Sequence, residues 1–419
     1  MRHHLARRLA GAVSAVALVA MTAGPVLAAD VPMAAPAEVG FTASGLEALK
    51  SEMQALVDQK KLAGAVTLLA RQGKVVHYEA YGVQDVATGQ PTQRDTIYRI
   101  ASMTKPITGV AMMILWEEGK WSLDDPVAKH IPEFADLQVA AADGGTEPQA
   151  HPMTMRELMS HTAGFDVSAG YDDAGLQDGD LQAMIDKLAA LPLAVQPGTD
   201  WRYGPSVNIQ GYIVEKLSGQ SLDAFFKSRI FDPLKMDDTG FHIDEAKLGR
   251  VSAVHTYGED GLIAPAGEVR AAPTSPPAFL SGSGGLLSTA EDYWRFAQML
   301  ANGGELDGAR ILKPDTVELM RTNVLAKGVT VDLYGPSQTG TGFGLDFAVI
   351  NDPQAAGTPQ GLNSFYWGGA FGTWFWIDPT NDLVFVGMIQ NLRGSIPGAG
   401  TPAMREISPR LVYEALTTD

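Results

Sequence analysis

No cysteine occurs among the 419 residues. That excludes disulfides, thiol catalysis and thiolate metal sites, and leaves packing alone to hold the fold in an oxidising compartment. Basic residues are scarce as well: 31 Lys and Arg stand against 48 Asp and Glu, a formal charge of -17. Arg2, Arg7 and Arg8 lie in a leader, and without them 28 basic residues face 48 acidic ones, or -20. Such a surface repels nucleic acid and anionic lipid, although net sign does not decide the local field of a small-molecule pocket. No serine satisfies G-x-S-x-G, so the nucleophile elbow of the α/β-hydrolases is absent. His77, His130, His151, His242 and His255 are scattered without the i, i+4 spacing of a zinc helix, and the Asp172-Asp173 to Asp180 segment lacks the EF-hand ligand order. No metal and no cofactor is expected.

What is present is a large apolar fraction, 45% hydrophobic against 19% charged, enough for one big domain or two lobes. Residues 1–28 read as a secretory signal: three arginines, an apolar stretch from Leu9 to Ala23, then small residues at Val26-Leu27-Ala28. No later run is long and apolar enough to cross a bilayer, so a periplasmic or secreted mature chain without a membrane span is expected. Ser44 and Glu47 suggest a capping box before a helix with Leu46, Leu49, Met53, Leu56 and Val57 on one face, closed by Gly64. Ala65 to Ala70 and Val75 to Tyr81, around Gln72-Gly73, predict an antiparallel hairpin. Thr373 to Ile377 and Leu383 to Ile389 predict a second one, followed by a last helix with Ser408 as N-cap and Pro409 in its first position. Between these ends the pattern is mainly helical, with capping boxes at Thr154/Glu157 and Ser288/Glu291 and an apolar helical run from Ile209 to Leu217 before Gly219. Gly-, Pro- and Ala-rich loops are expected at 139–153, 263–285 and 351–364, and functional rims at 263–285 and 325–364. The expected fold class is α+β. An antiparallel sheet built from both chain ends is flanked by helices (29–115 and 285–419), and a mainly helical lobe (116–284) is inserted from the middle.

The candidate chemistry begins at Ile100-Ala101-Ser102-Met103-Thr104-Lys105-Pro106, which leads into Ile107, Val110, Ala111, Ile114 and Leu115, an amphipathic helix closing at Gly119. Three residues make nearly one turn, so Ser102 and Lys105 share a face. A serine hydroxyl is a poor nucleophile until a neighbour takes its proton, and a desolvated lysine is able to do so. Backbone N–H groups at the helix start favour negative charge developing on a substrate oxygen. Taken alone, the same pattern also describes an N-cap serine beside a solvated lysine. Tyr203, in the turn Trp201-Arg202-Tyr203-Gly204-Pro205-Ser206, offers a phenol for proton relay, or else a half-buried aromatic bonded to backbone. Trp367-Gly368-Gly369-Ala370 offers a backbone that a substrate can approach closely, or else a tight turn.

Together, and in this order, these segments resemble the serine β-lactamase and penicillin-binding-protein superfamily, class C branch, over roughly residues 40–416. Ser102-Met103-Thr104-Lys105 resembles its S-x-x-K, Tyr203 the tyrosine of its Y-x-N, and Trp367-Gly368-Gly369 stands where that fold carries K-T-G. Leu158 to Gly164 is similar to its L-L-x-H-T-S-G, and Gly284 to Thr289 with Asp292-Tyr293 to a further shared stretch. The resemblance implies Ser102 as acylated nucleophile, Lys105 and Tyr203 as base system with the base itself undecided between them, and the N–H groups of Ser102 and Ala370 as oxyanion hole. It also implies a structural rather than catalytic His161. Two departures bear on substrate: Trp367 replaces the lysine of K-T-G, and Pro205 the asparagine of Y-x-N. A neutral aromatic offers no charge-assisted bond to an antibiotic carboxylate. W-G-G resembles the family VIII carboxylesterases, which points to uncharged small-molecule esters, with Trp367, Gly368, Gly369 and Pro205 as substrate-binding residues. The alternatives are a β-lactamase or D-amino-acid peptidase acting on cell-wall amides, an acyltransferase to an alcohol, or a penicillin-binding protein without turnover.

Overall fold

Hairpins from opposite ends of the chain meet in one sheet. The computed structural model describes residues 31–166, 175–261, 263–267, 271–332, 338–394, 398 and 400–417; the expected leader over residues 1–28 lies outside them. The elements below all belong to Met33–Asp419, which pack as one unit. Gly64–Arg71 (β1) and Lys74–Asp85 (β2) pair antiparallel around Gln72 and Gly73, whose φ values of 53° and 72° are those of a tight two-residue hairpin turn. Gln90–Pro91 (β3) extends this edge. From the far end come Thr341–Phe343 (β4), Ala348–Ile350 (β5), Phe365–Gly368 (β6), Trp374–Asp378 (β7) and Leu383–Met388 (β8). The order in the sheet is β4-β5-β6-β7-β8-β1-β2-β3, and the two chain ends join where Val66 faces Met388 and Arg71 faces Leu383. This is the antiparallel sheet expected from the two terminal hairpins.

β7 and β8 are buried at every position and β1 at all but its last, because helices cover both sheet faces. One face carries Ala43–Asp58 and Met404–Glu414, where Leu49, Met53 and Val412 pack with Trp374, Trp376 and Phe385. The other carries Ala290–Ala301, whose Tyr293 ring meets Phe375 at 5.1 Å. Thr104–Glu117 packs on Ser206–Ser218. Among the described residues no helix is long and apolar enough to cross a membrane.

Several local expectations are corrected. The first helix is capped by Thr42, not Ser44: the Thr42 hydroxyl accepts from Gly45 N at 3.0 Å and is tied to Ala415 O, so a tertiary contact selects the cap. It ends at Asp58, and Gly64 opens β1 instead of closing the helix. Ser288 is held in a short strand pairing Leu287–Ser288 with Tyr98–Arg99, so Thr289 caps the next helix. The Thr154/Glu157 box forms as predicted. The last helix starts at Met404, and Pro409 lies inside it. There the Ser408 hydroxyl is committed to the indole N–H groups of Trp374 and Trp376, at 3.0 and 3.2 Å, and does not cap. Thr104–Glu117 is not amphipathic: every residue from Thr104 to Leu115 is buried, because it has neighbours on all sides. The loops expected at 139–153 and 263–285 contribute strands to two small hairpins, Gln138–Ala140 with Thr146–Pro148 and His255–Tyr257 with Ile263–Pro265. Within the expected rim, Thr341–Phe343 and Ala348–Ile350 are strands of the main sheet joined by a tight turn.

Candidate active site

Ser102 stands in a 3-10 turn, Ala101–Met103, that runs directly into Thr104–Glu117. Ala101 has φ 44°, a left-handed conformation that a side chain adopts only when the surroundings enforce it. They do so from three elements. Ile100 N donates to Leu286 O at 3.1 Å, the Thr373 hydroxyl to Ile100 O at 3.2 Å, and the Tyr293 hydroxyl to Met103 O at 2.9 Å. Leu286 N in turn donates to the Thr104 hydroxyl at 3.2 Å.

The structure brings Ser102, Lys105 and Tyr203 together. Lys105 Nζ lies 3.2 Å from Ser102 Oγ, and the Tyr203 hydroxyl donates to the same oxygen at 2.8 Å. Lys105 Nζ also donates to Ser283 O at 2.8 Å and sits 4.5 Å from the centre of the Tyr203 ring. Ser283 is presented by a framework that sequence reasoning missed. Asn208 Oδ1 accepts from Ser283 N and the Ser281 hydroxyl, at 2.9 and 3.0 Å, and the Thr108 hydroxyl donates to Gly282 O at 2.8 Å. Lys105 is 3% exposed, and burial pushes its amine down to about 7 against an opposing pull from Asp346. Burial pushes the Tyr203 phenol up to about 12, moderated by its bond to Ser102 and by the nearby Trp367 indole and Arg405. Near neutral pH the amine is thus partly neutral and the phenol keeps its proton.

Trp367 in β6 is 2% exposed and packs against Tyr203 and Phe343, at centroid distances of 5.8 and 5.5 Å. At Gly369 the bare backbone also meets a packing demand. A Cβ on Gly369 would come 2.3 Å from both Ile100 O and Thr373 Oγ1, so the 368–370 turn is pressed against the residue two before Ser102. Gly369 N donates to Thr373 O at 2.7 Å, whereas Ala370 is exposed and its N–H donates to no described group. Gly369→Ala is therefore expected to cost about 1–3 kcal/mol of stability through overpacking, with activity falling alongside. Gly368→Ala, whose nearest contact is Thr373 O at 3.1 Å, should be milder; thermal melts and ester assays of the pair check the order. Pro205 caps Ser206–Ser218, its carbonyl accepting from Asn208 N and Ile209 N, so it fixes where the helix starts after Tyr203.

His161 lies at φ 59° among Trp201, Tyr203 and Phe343, 5.1 Å from the Tyr203 ring. Burial and the Lys105 charge push it down to about 3 against an opposing pull from the Arg202 backbone, and neither ring nitrogen bonds to Ser102. Among the described residues no group of His, Asp and Glu is arranged to hold a metal; Asp172 and Asp173 lie outside them. Asp346 and Gln210 also escaped sequence reasoning. Asp346 is wholly buried, accepts from Gln210 Nε2 at 3.0 Å and is raised well above the usual carboxylate range by that burial. A single acid in a glycine-rich stretch carries no pattern that would have found it.

A family model described as Beta-lactamase matches residues 49–406. The chain is 33% identical over 399 residues to esterase EstB of Burkholderia gladioli, covering 87% of this chain and 97% of EstB. It is 30% identical over 382 residues to a lovastatin esterase of Penicillium rubens, covering 82% of this chain and 92% of that one. Its fold is similar to the solved structure of EstCE1, described as a hydrolase with promiscuous acyltransferase activity, with a TM-score of 0.73 and 28% identity over 90% of this chain and 99% of that chain.

Proposed function

The chain belongs to the beta-lactamase family, and on that premise we propose that it is a serine hydrolase of uncharged carboxylic esters, working through an acyl-enzyme on Ser102. The observation that carries this is Ser102 Oγ held between Lys105 Nζ at 3.2 Å and the Tyr203 hydroxyl at 2.8 Å. Lys105 is the base: a buried amine near 7 takes a proton at neutral pH, and a phenol near 12 does not act as a phenolate there. Ser102 Oγ attacks the ester carbonyl as its proton passes to Lys105 Nζ, and the oxyanion is met by the N–H groups of Ser102 and Ala370. The Tyr203 hydroxyl relays the proton to the departing alkoxide and is reprotonated from Lys105. Water, activated by the same pair, then releases the acid.

The names of EstB and the lovastatin esterase support an ester over an amide. So does Trp367, an uncharged side chain where an antibiotic carboxylate would need a cation. In this reading Trp367, Gly368, Gly369 and Pro205 shape the substrate side of the site. Ser102 and Lys105 come from the sheet-bearing lobe (29–115 and 285–419), and Tyr203 from the helical lobe (116–284). The leader at 1–28 directs export, and the mature chain acts in the periplasm or outside the cell.

The test compares p-nitrophenyl acetate, butyrate and octanoate with nitrocefin, using purified protein. Ester turnover well above nitrocefin turnover is expected. Dominant nitrocefin cleavage would overturn the ester assignment and the part given to Trp367.

A further inference from the structure

Asp346 is the buried acid that the reaction above leaves unused. It sits in the turn between β4 and β5 at φ 66°, where glycine fits without strain and aspartate is one of the few side chains tolerated. Two costs therefore fall on one residue, a left-handed backbone and a carboxyl removed from water. Oδ1 accepts from Gln210 Nε2, and Oδ2 has no hydrogen-bond partner among the described residues. Oδ2 lies instead against Gly109, where a Cβ would come within 2.8 Å of it. Gly109 is four residues after Lys105 on Thr104–Glu117, so the two share a face, and the bare backbone at Gly109 makes room for the carboxyl beside the base. Lys105 Nζ directs its hydrogen bonds to Ser102 and Ser283, which leaves the carboxyl to act through space.

We propose that Asp346 acts electrostatically on Lys105 across the gap at Gly109 and is a positioning residue for the base system. The inference rests on Lys105 being the base. When the Ser102 O–H bond breaks, the proton forms an N–H bond at Lys105 Nζ and the amine becomes an ammonium. Negative charge on Asp346 stabilises that ammonium, whereas the protonated carboxyl leaves the amine neutral. Burial favours the protonated carboxyl, the Lys105 charge favours its ionised form, and the two titrate as a pair. The other titratable groups around the amine are Tyr203, whose ring lies beneath it, and His161, held neutral; Arg405 acts on Tyr203 from Met404–Glu414. Thr104 and Thr108 on its own helix, Gln210 on Ser206–Ser218 and Ser283 on the facing loop carry no charge.

The experiment is the pH dependence of kcat/KM for a p-nitrophenyl ester with Asp346→Asn, Asp346→Gly and, in parallel, Lys105→Ala. The ionised share of the coupled pair is what raises the amine, so removing the carboxyl is expected to move the acidic limb to lower pH by up to about one unit, with kcat at the plateau falling about 3- to 10-fold as the base weakens. A purely structural role would lower Tm and leave the limb in place, and an unmoved limb in the folded variants overturns the inference. If the asparagine variant does not fold, the glycine variant gives the reading, since glycine adopts φ 66° without strain. Wild-type turnover by Lys105→Ala would bring down the base assignment itself. An inactive Lys105→Ala with unmoved limbs in the Asp346 variants would bring down only the part given to Asp346.

Discussion

Ser102→Ala is expected to lower kcat on p-nitrophenyl butyrate by about 10,000-fold or more, while the protein stays folded. The expectation follows from what surrounds the hydroxyl. Ser102 Oγ is the one atom that both the Lys105 amine and the Tyr203 hydroxyl reach, at 3.2 and 2.8 Å, so its removal leaves a base and a relay with nothing to activate. The turn that holds it is tied down by backbone and side-chain bonds at Ile100, Met103 and Thr104, none of which uses the serine side chain. The stability change is therefore expected to stay within about 1 kcal/mol, the net worth of an ordinary hydrogen bond. Initial rates on protein of checked purity, with a thermal melt of each form, measure both quantities. Turnover within tenfold of wild type would show that another nucleophile carries the reaction.

Lys105→Ala should cost about 100- to 10,000-fold in kcat, the usual range for a positioned general base. The unaltered enzyme carries the same claim in its pH profile. Burial pushes the amine down to about 7, so below that pH it holds a proton and cannot accept another. The logarithm of kcat/KM should rise with unit slope below about pH 7 and level off above it. Tyr203, pushed up to about 12, stays protonated across this range and adds no limb of its own. Tyr203→Phe separates the two groups: it should lower the plateau and keep a limb, because the phenyl ring removes the relay and leaves the amine. A profile flat from pH 5 to pH 9, or one unchanged in Lys105→Ala, would contradict the assignment of the base.

The sheet was readable because its terminal strands are apolar runs broken by turn residues with one backbone solution, as at Gln72-Gly73. Caps were readable only to within a few residues. Ser44 and Ser288 each have a neighbouring threonine with the same hydroxyl, and the choice between them is made by partners distant in sequence, Ala415 for Thr42 and the Tyr98 strand for Ser288. Ser408 and Pro409 look like a helix start, but two tryptophans from β7 claim the hydroxyl, and Met404, buried in the core, draws the helix one turn earlier. In the site, the spacing of Ser102 and Lys105 was enough to put them on one face. Tyr203, 101 residues away from the serine, carried two open readings until the resemblance chose the proton relay. Ser283 acts through a backbone carbonyl and Asp346 through burial, and neither property is written in residue type. Gly369 was legible as special, but the close neighbour is Ile100 of the same chain.

The central claim is a covalent acyl group on Ser102, and the most direct measurement is mass spectrometry of protein quenched in acid within the first turnovers on p-nitrophenyl butyrate. A mass increase of one butyryl group, confined to the peptide containing Ser102 and missing from Ser102→Ala, is the predicted result. Full ester turnover with no adduct at any quench time, or an adduct on another residue that persists in Ser102→Ala, would contradict it.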